Sequence, residues 1–175
     1  LRHHRVLVDG ADDGLLIWEA GRLAPEGLAA GLCATNEGKA ALEAYSASLD
    51  ELDRPHLALR EEAREQNPFS APFDRILSRD PALTAEGIVE FARARIPLAA
   101  PGARLVLVAR IPARTMRLAS LMDEGNPFRD SISEAEERFY RESKDSRFTW
   151  DDVTLARTLA AAGFAAACER FTVEE

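Results

Sequence analysis

The chain has 175 residues, 46% hydrophobic and 30% charged, with a net charge of −8. That length suits one domain with a packed core, so residues 1–175 are expected to form a single domain. The acidic balance argues against direct nucleic-acid binding, which needs clustered Lys and Arg, and no apolar window approaches the roughly 18 residues of a membrane span.

In chain order, strands are expected at residues 5–9, 31–35, 56–60, 73–78, 104–110 and 166–173. Each is a short apolar run bounded by turn or helix signals. Helices alternate with them. Residues 15–24 follow the first strand at once. Residues 37–52 carry Leu42, Tyr45, Leu49 and Leu52 at helical spacing, with Thr35 or Asn36 as N-cap. A third helix follows Thr84, with Ile88, Phe91 and Ala92 on one face, and ends before Pro97. The last covers 150–162, opened by Thr149 and Asp152 in capping-box spacing and stopped by Gly163. Strands alternating with helices predict an α/β fold: a three-layer sandwich with a mainly parallel, doubly wound sheet. Residues 111–147 break the rhythm and are expected to be an insertion that caps the ligand edge. It holds a short amphipathic piece at 116–122 and a charged, solvated helix at 133–144.

Cys33 and Cys168 fall in expected strands and are read as buried, reduced thiols. With no C-x-x-C spacing and three scattered histidines, no metal site is expected. Arg2-His3-His4-Arg5 leads straight into the first strand without a signal-peptide pattern, so a cytoplasmic location is expected. Both ends of the chain look cut, which suggests a piece of a longer protein.

The chemistry concentrates in Val6-Leu7-Val8-Asp9-Gly10-Ala11-Asp12-Asp13-Gly14. A strand delivers the chain to a glycine turn and a helix begins, which is the arrangement that brings backbone N–H groups up to a ligand. Gly10 and Gly14 match the outer glycines of G-x-G-x-G, with Asp12 in place of the middle one. The nicotinamide pattern G-x-G-x-x-G lacks its third glycine, which makes an oxidoreductase the weakest reading. Cys33 to Ala40 imitates a P-loop through Gly38-Lys39, but Cys33 stands where its first Gly belongs and Ala40 where Ser or Thr would hold Mg²⁺.

This turn, the helix after it, the segment 73–78, Leu98-Ala99-Ala100-Pro101-Gly102-Ala103-Arg104-Leu105-Val106-Leu107 and the closing Leu159-Ala160-Ala161-Ala162-Gly163-Phe164 together resemble class I S-adenosylmethionine (SAM) methyltransferases. A narrower resemblance rests on residues 109–118, the Glu-rich helix and Phe148-Thr149-Trp150-Asp151-Asp152. These look like a bacterial methyltransferase-like domain fused behind the replication-associated recombination ATPase of the AAA family.

The first resemblance implies SAM as cofactor, with Asp9, Gly10, Ala11 and Gly14 under its methionine part. Asn36 or Glu37 would stand where the family holds the ribose diol with a carboxylate, and Asp80 would end the fourth strand near the substrate. In the bottom-up reading Glu37 is equally a first-turn residue favoured by the helix dipole. Asp9 is expected to orient the turn by accepting its N–H groups. Asp12 would oppose the cofactor's own carboxylate. Asp80-Pro81 supplies half of a D/N-P-P-Y/F motif with no aromatic after it, which argues against base methylation. The second resemblance implies a partner ATPase in the same parent chain and an accessory role in replication or recombination. The expectation is therefore a degenerate SAM site in an accessory module. The alternative is an active methyltransferase on a small molecule or protein.

Overall fold

Val6 and Val8 pack on one side of their strand and Leu7 on the other, and all three are buried, so the segment must lie inside a sheet covered on both faces. The computed structural model describes residues 2–65, 67–111 and 114–171. Its strands are β1 (Arg5–Asp9), β2 (Leu28–Cys33), β3 (His56–Leu59), β4 (Phe73–Arg79) and β5 (Ala99–Val108). They form one sheet in the order β3-β2-β1-β4-β5, with every pairing parallel. This is the expected doubly wound α/β architecture, with β1 and β4 adjacent at the centre and the order reversing at β1, where ligands of such sheets bind.

The helices are α1 (Leu15–Leu23), α2 (Asn36–Ser46), α3 (Glu62–Glu65), α4 (Ala85–Arg95), α5 (Arg129–Glu142) and α6 (Asp152–Ala161). Ile17 and Ala20 of α1 and Leu42 of α2 join Val6, Val8 and Cys33 in one core layer. Leu7, Leu32, Phe73 and Ile76 form the other, closed by Phe69 and Leu98.

The chain divides into two compact units. The first comprises the chain up to Pro81 together with Phe91–Ala109; the second comprises Ala82–Glu90 together with the chain from Arg110. The first holds the sheet. In the second, buried Trp150 donates its indole N–H to Leu83 O at 3.0 Å. Glu136 of α5 accepts from the N–H groups of Leu118 (2.8 Å) and Ala119 (3.0 Å), which opens the 3₁₀ turn Leu118–Leu121. Those two bonds hold the Glu136 carboxyl below its usual range. No residue of α5 is buried, as its charge pattern predicts.

Several local expectations are corrected. α2 ends at Ser46, well short of residue 52, because the hydroxyls of Ser46 and Ser48 donate to Glu43 O and Tyr45 O. Arg54 draws off the carbonyls of Leu49 and Ala47. Side chains that bond the backbone locally compete with a helix. Leu52 is consequently exposed, and Tyr45, though inside α2, is exposed as well, so the stripe that predicted the longer helix is only partly a core face. β5 begins at Ala99, earlier than expected, with Gly102 (φ +75) inside an irregularity in its register against β4. The cap of α6 is Asp151, which accepts from Thr154 N at 2.8 Å, rather than Thr149. Gly163 (φ +91) follows the helix as its left-handed stop. The strand expected at 166–173 is absent among the described residues: 166–171 are irregular and Arg170 pairs with Asp152. An apolar run needs a ladder partner to become a strand, and none pairs with it there. Cys168 is exposed for the same reason. Cys33 is buried, which pushes its thiol up to about 11.

Candidate functional site

β1 must turn sharply into α1, and two left-handed glycines allow it: Gly10 (φ +83) and Gly14 (φ +76). At Gly14 a Cβ would also lie 2.7 Å from the Trp18 indole nitrogen. The N–H groups of Gly10 and Ala11 both donate to Leu32 O, at 2.9 and 3.1 Å. Gly14 N donates to Ala11 O at 2.8 Å, and Leu15 N donates to Asp13 Oδ1 at 3.0 Å. The N–H groups of Gly10, Ala11, Gly14 and Leu15 are thus spent on the protein.

Asp9 is completely buried at the end of β1. Its carboxylate does not orient the turn by accepting those N–H groups, a correction to the expectation. It bridges two arginines instead. Arg60, just past β3, donates to Oδ1 through Nε (2.8 Å), and its Nη2 lies 2.7 Å from the same oxygen as an ion pair. Arg95, at the end of α4, donates to Oδ2. Arg95 also lies over the Phe91 ring at 4.6 Å. Because β2 lies between β3 and β1, the Arg60 side chain crosses the end of β2 to reach Asp9. Its guanidinium sits 3.3 Å from where a Cβ on Gly10 would stand.

Asp12 is turned towards β2. It accepts from Ala34 N (3.1 and 2.9 Å), Thr35 N (3.0 Å) and Thr35 Oγ1 (3.0 Å). Burial works to raise its pKa, but these bonds outweigh it and hold the carboxyl below the usual range. Thr35 in turn caps α2 by accepting from Gly38 N at 3.0 Å. This explains why β2 stops at Cys33: the next two N–H groups belong to Asp12.

A carboxylate with a lowered folded pKa contributes stability above its unfolded value of 3.8, and that contribution is lost as pH falls through the lower folded value. Asp12→Ala is therefore expected to cost about 0.5–1.5 kcal/mol at pH 7, because Ala34 and Thr35 are exposed and their freed N–H groups can turn to water. The cost should shrink below about pH 4 in paired urea titrations of variant and parent. A pH-independent cost would show that the carboxylate charge is irrelevant.

Asn36 and Glu37 open α2 and, with Ala34, Thr35, Leu59 and Glu61, line a cavity of about 240 Å³ beyond the ends of β2 and β3. Asp80 follows β4 in the left-handed region (φ +46), with its N–H donating to Val108 O at 2.7 Å. Arg79 beside it pairs with Asp13 of the glycine turn. The structure thus gathers Asp9, Gly10, Ala11 and Gly14 on one turn and places Asn36 and Glu37 at the cavity, while Asp80 is not among the cavity's lining residues. Lys39 pairs with Glu43 at 2.6 Å, one helical turn on. Sequence reasoning missed the arginines. The available signal was positional: Arg60 closes the expected strand 56–60 and Arg79 directly follows the expected strand 73–78, whereas Arg95 carried none. Among the described residues, no group of three His, Cys, Asp or Glu side chains is placed to hold a metal. No described helix is long and apolar enough to cross a membrane.

The fold matches solved structures. The cyclopropane synthase MmaA2 from Mycobacterium tuberculosis aligns over 94% of this chain and 56% of its own, at 18% identity and a TM-score of 0.58. The mycolic acid cyclopropane synthase CmaA1, solved with S-adenosylhomocysteine (SAH), aligns over 94% and 56%, at 17% identity and a TM-score of 0.57. An O-methyltransferase from Bacillus cereus, also solved with SAH, aligns over 81% and 64%, at 17% identity and a TM-score of 0.51. The chain spans little more than half the length of the two synthases. The five-stranded parallel sheet is that of the methyltransferase Rossmann-like fold. No protein-family model matches the sequence, and no curated protein sequence does.

Proposed function

We propose that this chain is a methyltransferase-like domain with a degenerate SAM site, serving as an accessory module of a bacterial replication or recombination AAA ATPase in the cytoplasm. The observation that carries the reading is the state of the glycine turn. Its Gly10 and Ala11 donors are spent on Leu32 O, and Arg60 lies over Gly10. SAM would have to displace that guanidinium, so the residues as arranged do not fit the whole cofactor. The cavity of about 240 Å³ is also smaller than the roughly 300–1,000 Å³ usual for ligand sites. The accessory role draws its support from the resemblance of residues 109–118 and 148–152 to the domain fused behind that ATPase.

Direct nucleic-acid binding is not part of this reading. Arg114 faces Asp151 and Asp152 at 3.5 Å, and Arg117 faces Glu137 at 3.0 Å, so acidic side chains already meet both of these arginines. One observation favours an active methyltransferase on a small molecule or protein: Glu37 lines the cavity where a ribose diol would be held. Calorimetry with SAM and SAH separates the two. The expected result is no measurable binding up to about 1 mM ligand. Micromolar binding by the unaltered chain would overturn the degenerate-site reading in favour of the active one.

A further inference from the structure

We propose that Arg60 is a built-in plug, an autoinhibitory contact that closes the space over the glycine turn and whose removal opens that space to an adenosyl ligand. The inference rests on the degenerate-site reading and names the side chain responsible. Three observations carry it. Arg60 is anchored by its own backbone, whose N–H donates to Cys33 O at 2.8 Å, so its side chain starts from a fixed point beside the cavity. From there it spans β2 and ends 3.3 Å from the Cβ position of Gly10. Its side chain remains 34% exposed, whereas Asp9 is fully buried and Arg95 only 10% exposed.

The third observation separates the two arginines. Arg95 holds the second oxygen of Asp9 from within the fold, so the buried carboxylate keeps a cationic partner when Arg60 is cut back. Arg60 is thus the dispensable half of the bridge for charge and the obstructive half for space. Leu59 and Glu61, its chain neighbours, already line the cavity. Truncating the side chain between them is expected to clear the space over Gly10.

The test is calorimetry with SAH on the unaltered chain and on Arg60→Ala, Arg60→Ser and Arg60→Met, with circular dichroism to confirm folding. Methionine removes the charge but keeps much of the length. The unaltered chain and Arg60→Met should show no binding up to about 1 mM, and Arg60→Ala and Arg60→Ser should bind about tenfold or more tightly than that limit. Folded Ala and Ser variants that stay silent would overturn the plug while leaving the degenerate-site reading intact. Binding by Arg60→Met equal to that of Arg60→Ala would overturn it as a steric device. Loss of folding in both small variants would show that Arg60 holds the turn together rather than blocking it. Binding by the unaltered chain would instead sink the reading on which the inference rests.

Discussion

Asp9→Ala is expected to destabilise the protein by about 3–5 kcal/mol, the cost of stripping one partner from a buried ion pair. The reason is asymmetric. Arg95 is buried with its guanidinium aimed at Asp9 Oδ2, so removing the carboxylate leaves a desolvated charge without its counter-ion. Arg60 is about one-third exposed and can turn to water. In a chain of 175 residues this corresponds to a melting temperature lower by on the order of 10 °C. Urea denaturation would measure the change directly. Asp9→Leu combined with Arg95→Met should recover most of the loss, because removing both charges leaves nothing buried to neutralise. If Asp9→Ala costs less than about 1 kcal/mol, the bridge does not hold the turn.

Phe73→Ala is expected to cost a similar amount, about 3–5 kcal/mol, by a different mechanism. Phe73 is the largest of the fully buried side chains and opens β4 at the foot of the second core layer. Its ring meets Phe69 edge-on at 5.2 Å and 86°. The Arg5 guanidinium lies 5.6 Å from the ring centroid. Truncation leaves a void between β4 and the Phe69 loop, and parallel strands paired on both sides cannot close over it. Phe73→Leu should cost distinctly less, since much of the volume is kept. Urea titrations should show the midpoint falling while the slope stays constant, because the same surface is exposed on unfolding. Equal costs for the Ala and Leu variants would show that ring edge contacts outweigh the void.

The central strands were legible because each is a short apolar run whose residues are buried on both faces, a pattern that needs no knowledge of partners. Val6, Leu7 and Val8 are the plainest case. The start of α2 was legible as well, since Thr35 caps it through a bond three residues long. The end of α2 was not, because it depends on Arg54 reaching back to the Leu49 and Ala47 carbonyls. The expected strand at 166–173 failed for a related reason: composition proposes a strand, but only a neighbouring ladder makes one.

At the candidate site the division is sharper. The sequence by itself determined the strand, the glycine turn and the helix after it, because alternation, left-handed glycines and helix starts are local properties of a few neighbouring residues. The tertiary structure alone decided what Asp9 and Asp12 do. Asp9 meets Arg60 across 51 residues and Arg95 across 86, and Asp12 meets Ala34 across 22. Nothing local encodes which strand ends the sheet will bring together. A buried carboxylate takes whatever cation or N–H the topology delivers to it, and here the β3-β2-β1-β4-β5 order delivers the arginine of a strand end two places away.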